Sequence, residues 1–153
     1  MKATKWIVGA GAVIGIASTF LDWMSVELTG GGASTSVPTG GMDHGGVVFI
    51  TLLCLPLIAA AVGALKRFGR GMATLALVGG LLATLMSMAK YADISEAAAL
   101  LAEHGLGTAS VAGGYWLLFV GAAITAVGAI VGLIKPEPKL DAAPTAAPAY
   151  GVR

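Results

Sequence analysis

Apolar positions along this chain gather into four long runs, at about 6–21, 46–65, 72–89 and 114–134, separated by stretches rich in Gly, Pro and charged residues. Crossing roughly 30 Å of hydrocarbon takes about 17–25 helical residues. The second and fourth runs meet that length, the third just does, and the first falls short. Adding the interfacial segment Phe20-Leu21-Asp22-Trp23 to the first run gives predicted transmembrane helices at about 6–23, 46–65, 72–90 and 114–134. The expected fold is an all-α membrane protein, a four-transmembrane-helix bundle over 1–135. A second reading of the first run is a cleaved signal peptide, with Lys2 and Lys5 before it and the small-x-small Gly15-Ile16-Ala17 within it.

The segments between the runs carry their own patterns. Met24, Val26 and Leu28 alternate with Ser25 and Glu27, a period of two that suits a half-buried strand. Thr29-Gly30-Gly31-Gly32 is a turn signal and Ser34-Thr35-Ser36-Val37 a second strand, which Pro38 to Gly41 should break. The prediction is a β-hairpin over the ends of the helices. A flexible Gly/Ser loop is the alternative, because a lone hairpin is marginal. In the second outer loop, Asp93-Ile94-Ser95-Glu96 has capping-box spacing, Ile94, Ala98 and Leu101 form a helical stripe, and Gly105 can terminate it. This predicts a short helix over about 94–104, or a bent extension of the third membrane helix. From Lys135-Pro136 onward the Ala/Pro-rich composition has no periodicity, so 136–153 reads as a disordered cytoplasmic tail. A weak echo links Ser36-Val37-Pro38-Thr39-Gly40-Gly41 before the second run to Ser110-Val111-Ala112-Gly113-Gly114 before the fourth.

Composition agrees with the membrane assignment. Of 153 residues 57% are hydrophobic and 11% charged, whereas soluble domains carry roughly 25% charged residues. Charge then orients the helices. Lys2, Lys5, Lys66, Arg67, Arg70, Lys135, Lys139 and Arg153 fall on one side with Glu137 and Asp141, and only Lys90 on the other, where Asp22, Glu27, Asp43, Asp93, Glu96 and Glu103 lie. Orientation follows Lys and Arg in short loops, so both termini should be cytoplasmic. The net charge of +1 and the absence of a large basic cluster argue against nucleic acid as a partner. Cys54, the one cysteine, has no intrachain partner and excludes a disulfide oxidant.

Small residues give the strongest signal inside the apolar runs. Gly121, Thr125, Gly128 and Gly132 line one face of the fourth helix, and Gly11, Gly15 and Ser18 one face of the first. Close backbone approach across such faces supplies packing energy in lipid. They can serve packing within the bundle or a self-association seam, and the former is expected. Pro56 should kink the second helix, with Thr51 or a neighbouring helix taking up the freed groups. The stretches 7–21, 47–65, 72–89 and 117–134 contain no Asp, Glu, Lys, Arg or His. That argues against proton-coupled transporters and rotary-ring subunits, which need a carboxylate at mid-membrane. Asp43-His44 and Glu103-His104 could supply metal ligands in kind, but their spacing fits helix ends better: Asp43 as a cap of the second helix, His104 at a C-terminus. No nucleophile elbow is present. No catalytic, cofactor or metal role is assigned, and Trp23, Met24, Val26 and Leu28 form the candidate outer interaction surface.

Two inside termini, a larger first outer loop and a smaller second one resemble the claudin and tetraspan arrangement, though the first loop has Trp23 without a cysteine pair. Phe20-Leu21-Asp22-Trp23-Met24-Ser25-Val26, Gly40-Gly41-Met42-Asp43 and Gly113-Gly114-Tyr115-Trp116-Leu117 look more like small, uncharacterised bacterial four-helix membrane proteins. The resemblance implies a multi-pass protein of a bacterial inner membrane and brings no activity with it. The expectation is a non-enzymatic structural or protein-interaction component whose partners are the bilayer and another membrane protein or itself. The alternative is an accessory subunit of a transporter or a small permease.

Overall fold

A computed structural model describes residues 3–30 and 33–136, and in it four helices and three strands alternate. They are α1 (Thr4–Ser18), β1 (Asp22–Gly30), β2 (Ala33–Gly40), α2 (Gly46–Leu65), α3 (Arg70–Glu103), β3 (Gly107–Val111) and α4 (Gly113–Ile134). Lys2, the Gly31-Gly32 centre of the turn and the tail from 137 to 153 lie outside the described residues.

α1 packs on α4 and α2, and α3 on α2 and α4, so the four helices close into a ring. α2, α3 and α4 are long and apolar enough to cross a membrane. Their outward faces are apolar too: Ile58, Leu85 and Val127 are exposed, a belt that a soluble monomer would not present to water. The interior has two layers. Trp23, Phe49, Leu53, Tyr115 and Leu118 fill one end, and Val8, Ala59, Phe68, Ala73 and Ala129 fill the other.

α1 stops at Ser18 rather than running to 23. The Ser18 and Thr19 hydroxyls donate to Gly15 O at 2.6 Å and Ile16 O at 2.7 Å. The amides of Thr19, Phe20 and Leu21 donate to Ile16, Ala17 and Ser18, a tightened i→i−3 turn. Fifteen α-helical residues give about 22 Å and three tightened ones about 6 Å more, after which the chain enters β1.

The segment between the third and fourth apolar runs has no separate helix; α3 continues through it to Glu103 as a single 34-residue helix. The anticipated capping box does not form, because Ser95 donates its hydroxyl to Ala92 O at 2.8 Å and Asp93 accepts from Lys90 Nζ at 2.9 Å. With no cap to start a new helix, the old one runs on, of the two forms expected the extension. It ends at Gly105, whose φ of 62° lets Gly105 N reach Ala102 O and Leu106 N reach Leu101 O, the paired bonds of a Schellman closure.

The segment between α1 and α2 pairs β1 with β2, and β3 adds a third strand that the sequence pattern did not anticipate. The order is β2-β1-β3, with both pairs antiparallel. Pro38 does not end β2, because β2 lies at the sheet edge, where a missing N–H is tolerated. The two echoed segments thus flank β1 on either side, and each leads into a helix. The sheet sits where α1 and α3 end and α2 and α4 begin. Lys5, Lys66, Arg67, Arg70 and Lys135 lie at the opposite end.

Candidate functional site

The sheet end collects the described acidic side chains, and Trp23 organises it. The β1–β2 register jumps from Asp22↔Gly40 to Met24↔Thr39, so Trp23 occupies a β-bulge, a device that re-aims a side chain. It turns the indole into the bundle, where Trp23 is fully buried. Its Nε1–H donates to Ser18 O at 2.9 Å, and its ring meets Phe49 edge-on at 5.3 Å. Gly41 lies against the indole with no room for a Cβ. Trp23 is therefore a core residue and leaves the anticipated interaction surface. Met24 is half-buried against the same core, Val26 is half-buried, and Leu28 is exposed.

Beside Trp23 a cavity of about 230 Å³ is lined by Met24, His44, Lys90, Asp93 and Ile94. Asp43 and His44 do not cap α2. That role falls to Gly45, whose φ is 88° and which contributes no side-chain bond. His44 Nε2 is buried and has no hydrogen-bond partner among the described residues. The Lys90–Asp93 pair at the rim is largely solvent-exposed, so its charges are screened and contribute little to stability. The cavity offers one imidazole nitrogen and a balanced ion pair over an apolar floor. His104 sits apart at the end of α3, its Nδ1 2.8 Å from Leu100 O. Among the described residues no three His, Cys, Asp or Glu side chains come together.

The small residues of α1 and α4 lie at contacts within the chain. A Cβ added at Gly11 would stand 2.8 Å from Gly121 O, and one at Gly121 2.6 Å from Gly15 N. Gly15 also meets Leu53, Gly128 meets Val8 and Ile7, and Gly132 meets Phe68. Thr125 is buried and turns its hydroxyl back to Gly121 O at 2.9 Å. Sequence reasoning missed three participants. Gly80 brings α3 onto Thr125 and Ala126, Gly79 brings it onto α2 at Leu52 O and Pro56, and Gly63 receives Phe68. Phe68 sits among basic residues in the α2–α3 turn, and its signal was that position: an aromatic there could fold back to plug the bundle. Tyr115, also missed, donates its hydroxyl to Ser87 O at 2.8 Å and ties α4 to α3. Thr51, offered as a partner for the groups Pro56 frees, instead donates to Val47 O at 2.9 Å.

No protein-family model and no curated protein sequence matches the chain.

Proposed function

We propose that this is a non-enzymatic, four-pass protein of a bacterial inner membrane, a structural or interaction component that meets another membrane protein, or a second copy, through its sheet. The observation that carries this reading is the apolar sheet face shared by Val26, Leu28 and Val37. Val26 lies opposite Val37 and Leu28 two residues further along β1, so all three share one face. Leu28 and Val37 remain exposed there, beside the unpaired edge of β2. The small-residue faces are already occupied inside the bundle, which leaves the sheet as the distinctive free surface.

The charge distribution supports cytoplasmic termini and an extracytoplasmic sheet. The length of α1 with its tightened turn, about 28 Å by helical rises, supports a fourth crossing. Filled core layers and helices free of ionisable groups at mid-length speak against a solute path. A photoreactive residue at Val37 in growing cells tests the reading. A discrete protein adduct at Val37, absent with the same residue at the outward-facing Ile130, is expected. Adducts at Ile130 with none at Val37, or solute-specific flux from the purified protein alone in liposomes, would overturn it.

A further inference from the structure

β2 is the outer strand of the sheet, and among the described residues no strand lies beyond it. The hydrogen bonds of β1 fix which of its backbone groups are free. Thr29 N donates to Leu106 O at 3.0 Å and Trp23 O accepts from Ala112 N at 2.8 Å, so Ser25 and Glu27, the alternate residues between them, also turn their backbone to β3. Opposite residues of an antiparallel ladder either bond each other or both point away. Ser34, Ser36 and Pro38, which lie opposite Thr29, Glu27 and Ser25, therefore point away from β1. The free edge carries the N–H groups of Ser34 and Ser36 and the carbonyls of all three, since Pro38 has no N–H. Natural edges are blunted by charge, proline or a bulge. From Ala33 to Val37 there is no charged residue and no proline, and the bulge lies at the other end of the hairpin, by Trp23. Thr35, Ser36 and Val37 are exposed.

We infer that β2 takes up an extended segment of another protein as a fourth strand, along Ser34 to Val37. This rests on the sheet being the contact surface, as proposed above, and names what that surface holds. Only a second extended backbone presents donors and acceptors at the repeat of a strand edge, roughly 7 Å between alternate residues. An antiparallel segment exchanges both bonds with Ser34 and both with Ser36. Its side chains opposite Thr35 and Val37 extend the face that Val26 and Leu28 begin, which favours β-branched or aromatic residues there. A second copy of β2 does not fit. α3 has 34 residues and α4 has 22, so α3 overshoots by about 18 Å. β3 returns along that overhang to the start of α4, with β1 and β2 beside it, so the strands run along the helix axes. A two-fold axis along the helices, which relates two copies in one membrane, sets their β2 strands parallel with equivalent residues level. Parallel pairing needs the facing residues offset by one, because each bonds to the two that flank its opposite number.

Cross-link mapping tests it, with a photoreactive residue placed in turn at Thr35 and Val37 of the full chain in cells. Both should capture one segment of one partner, at positions two residues apart and in reversed order. Ser36→Pro, which removes an N–H that β1 does not use, should cut the Val37 adduct about tenfold or more, while Ser36→Thr keeps it. In the purified protein, amide exchange should be fast at Ser34 and Ser36 and slow at Thr35 and Val37, a measurement that needs no variant to fold. Adducts at unrelated sites, adducts to β2 of a second copy, a Val37 adduct indifferent to Ser36→Pro, or a slow Ser36 amide would each overturn the inference while leaving the sheet as the contact surface. No adduct at either position would overturn both.

Discussion

The indole N–H of Trp23 donates to the backbone carbonyl of Ser18 at 2.9 Å, so the first strand is fastened to the last turn of the first helix by a side chain that neither element could bury alone. Ala112 N donates in turn to Trp23 O at 2.8 Å, drawing the start of α4 to the same point. One bulged residue thus joins α1, β1 and α4. Trp23→Ala should destabilise the protein by about 3–5 kcal/mol, and Trp23→Phe, which keeps a ring but loses the N–H, by about 1–2 kcal/mol. Thermal unfolding in detergent measures both. Equal, small losses for the two variants would contradict the assignment of Trp23 as the plug of the sheet end.

The α1–α4 seam brings backbone against backbone. Because a Cβ at Gly121 meets Gly15 N rather than a movable side chain, Gly121→Ala should force the helices apart and cost about 1–3 kcal/mol. Gly71→Ala, where nothing lies within 4 Å, should be neutral or stabilising by up to about 1 kcal/mol. Gly128→Leu should lower the melting temperature without producing a smaller, well-folded species on gel filtration. A stable monomer from that variant would reassign the stripe to an oligomer seam.

Pro56 and Gly79 form a second pair. A Cβ at Gly79 would come 2.6 Å from Leu52 O and 2.7 Å from Pro56 Cδ. Pro56 lacks the N–H that would normally bond Leu52 O. Gly79→Ala should therefore destabilise more than Gly71→Ala, and Pro56→Ala should recover part of the loss. A double-mutant cycle should give a coupling of at least about 0.5 kcal/mol. Strict additivity would show that the two sites act independently.

The α2 boundaries, 46–65, and the α4 limits, 114–134 against Gly113–Ile134, were legible because long apolar runs ended by Gly, Lys and Pro leave few alternatives. The hairpin strand was legible from its period of two. β3 was not, because Gly107-Thr108-Ala109-Ser110-Val111 is too small and polar to announce a strand; it is one because β1 offers it an edge. The fate of Trp23 was equally hidden. Strand alternation fixes which side a residue faces only while the register holds, and the bulge breaks it at that residue. The capping box failed for the opposite reason: a local signal was overridden by a helix already running through it.

On the sheet face, Leu28→Asp and Val37→Asp should change stability by no more than about 0.5 kcal/mol, as exposed positions do. Each should nevertheless abolish co-purification of the partner or second copy that trapping at Val37 of the unsubstituted protein identifies. Co-purification unchanged by both substitutions would move the interaction surface off the sheet.

The arrangement of the whole molecule is tested most directly by thiol accessibility in intact cells on a Cys54→Ala background, with single cysteines replacing Ser36, Thr108 and Gly69. The first two sit on β2 and β3, and the third in the basic α2–α3 turn, where a Cβ meets nothing within 4 Å. A membrane-impermeant maleimide should label the cysteines at 36 and 108 without permeabilisation, and the one at 69 only after it. Labelling at 69 from outside, with 36 and 108 protected, would contradict the account.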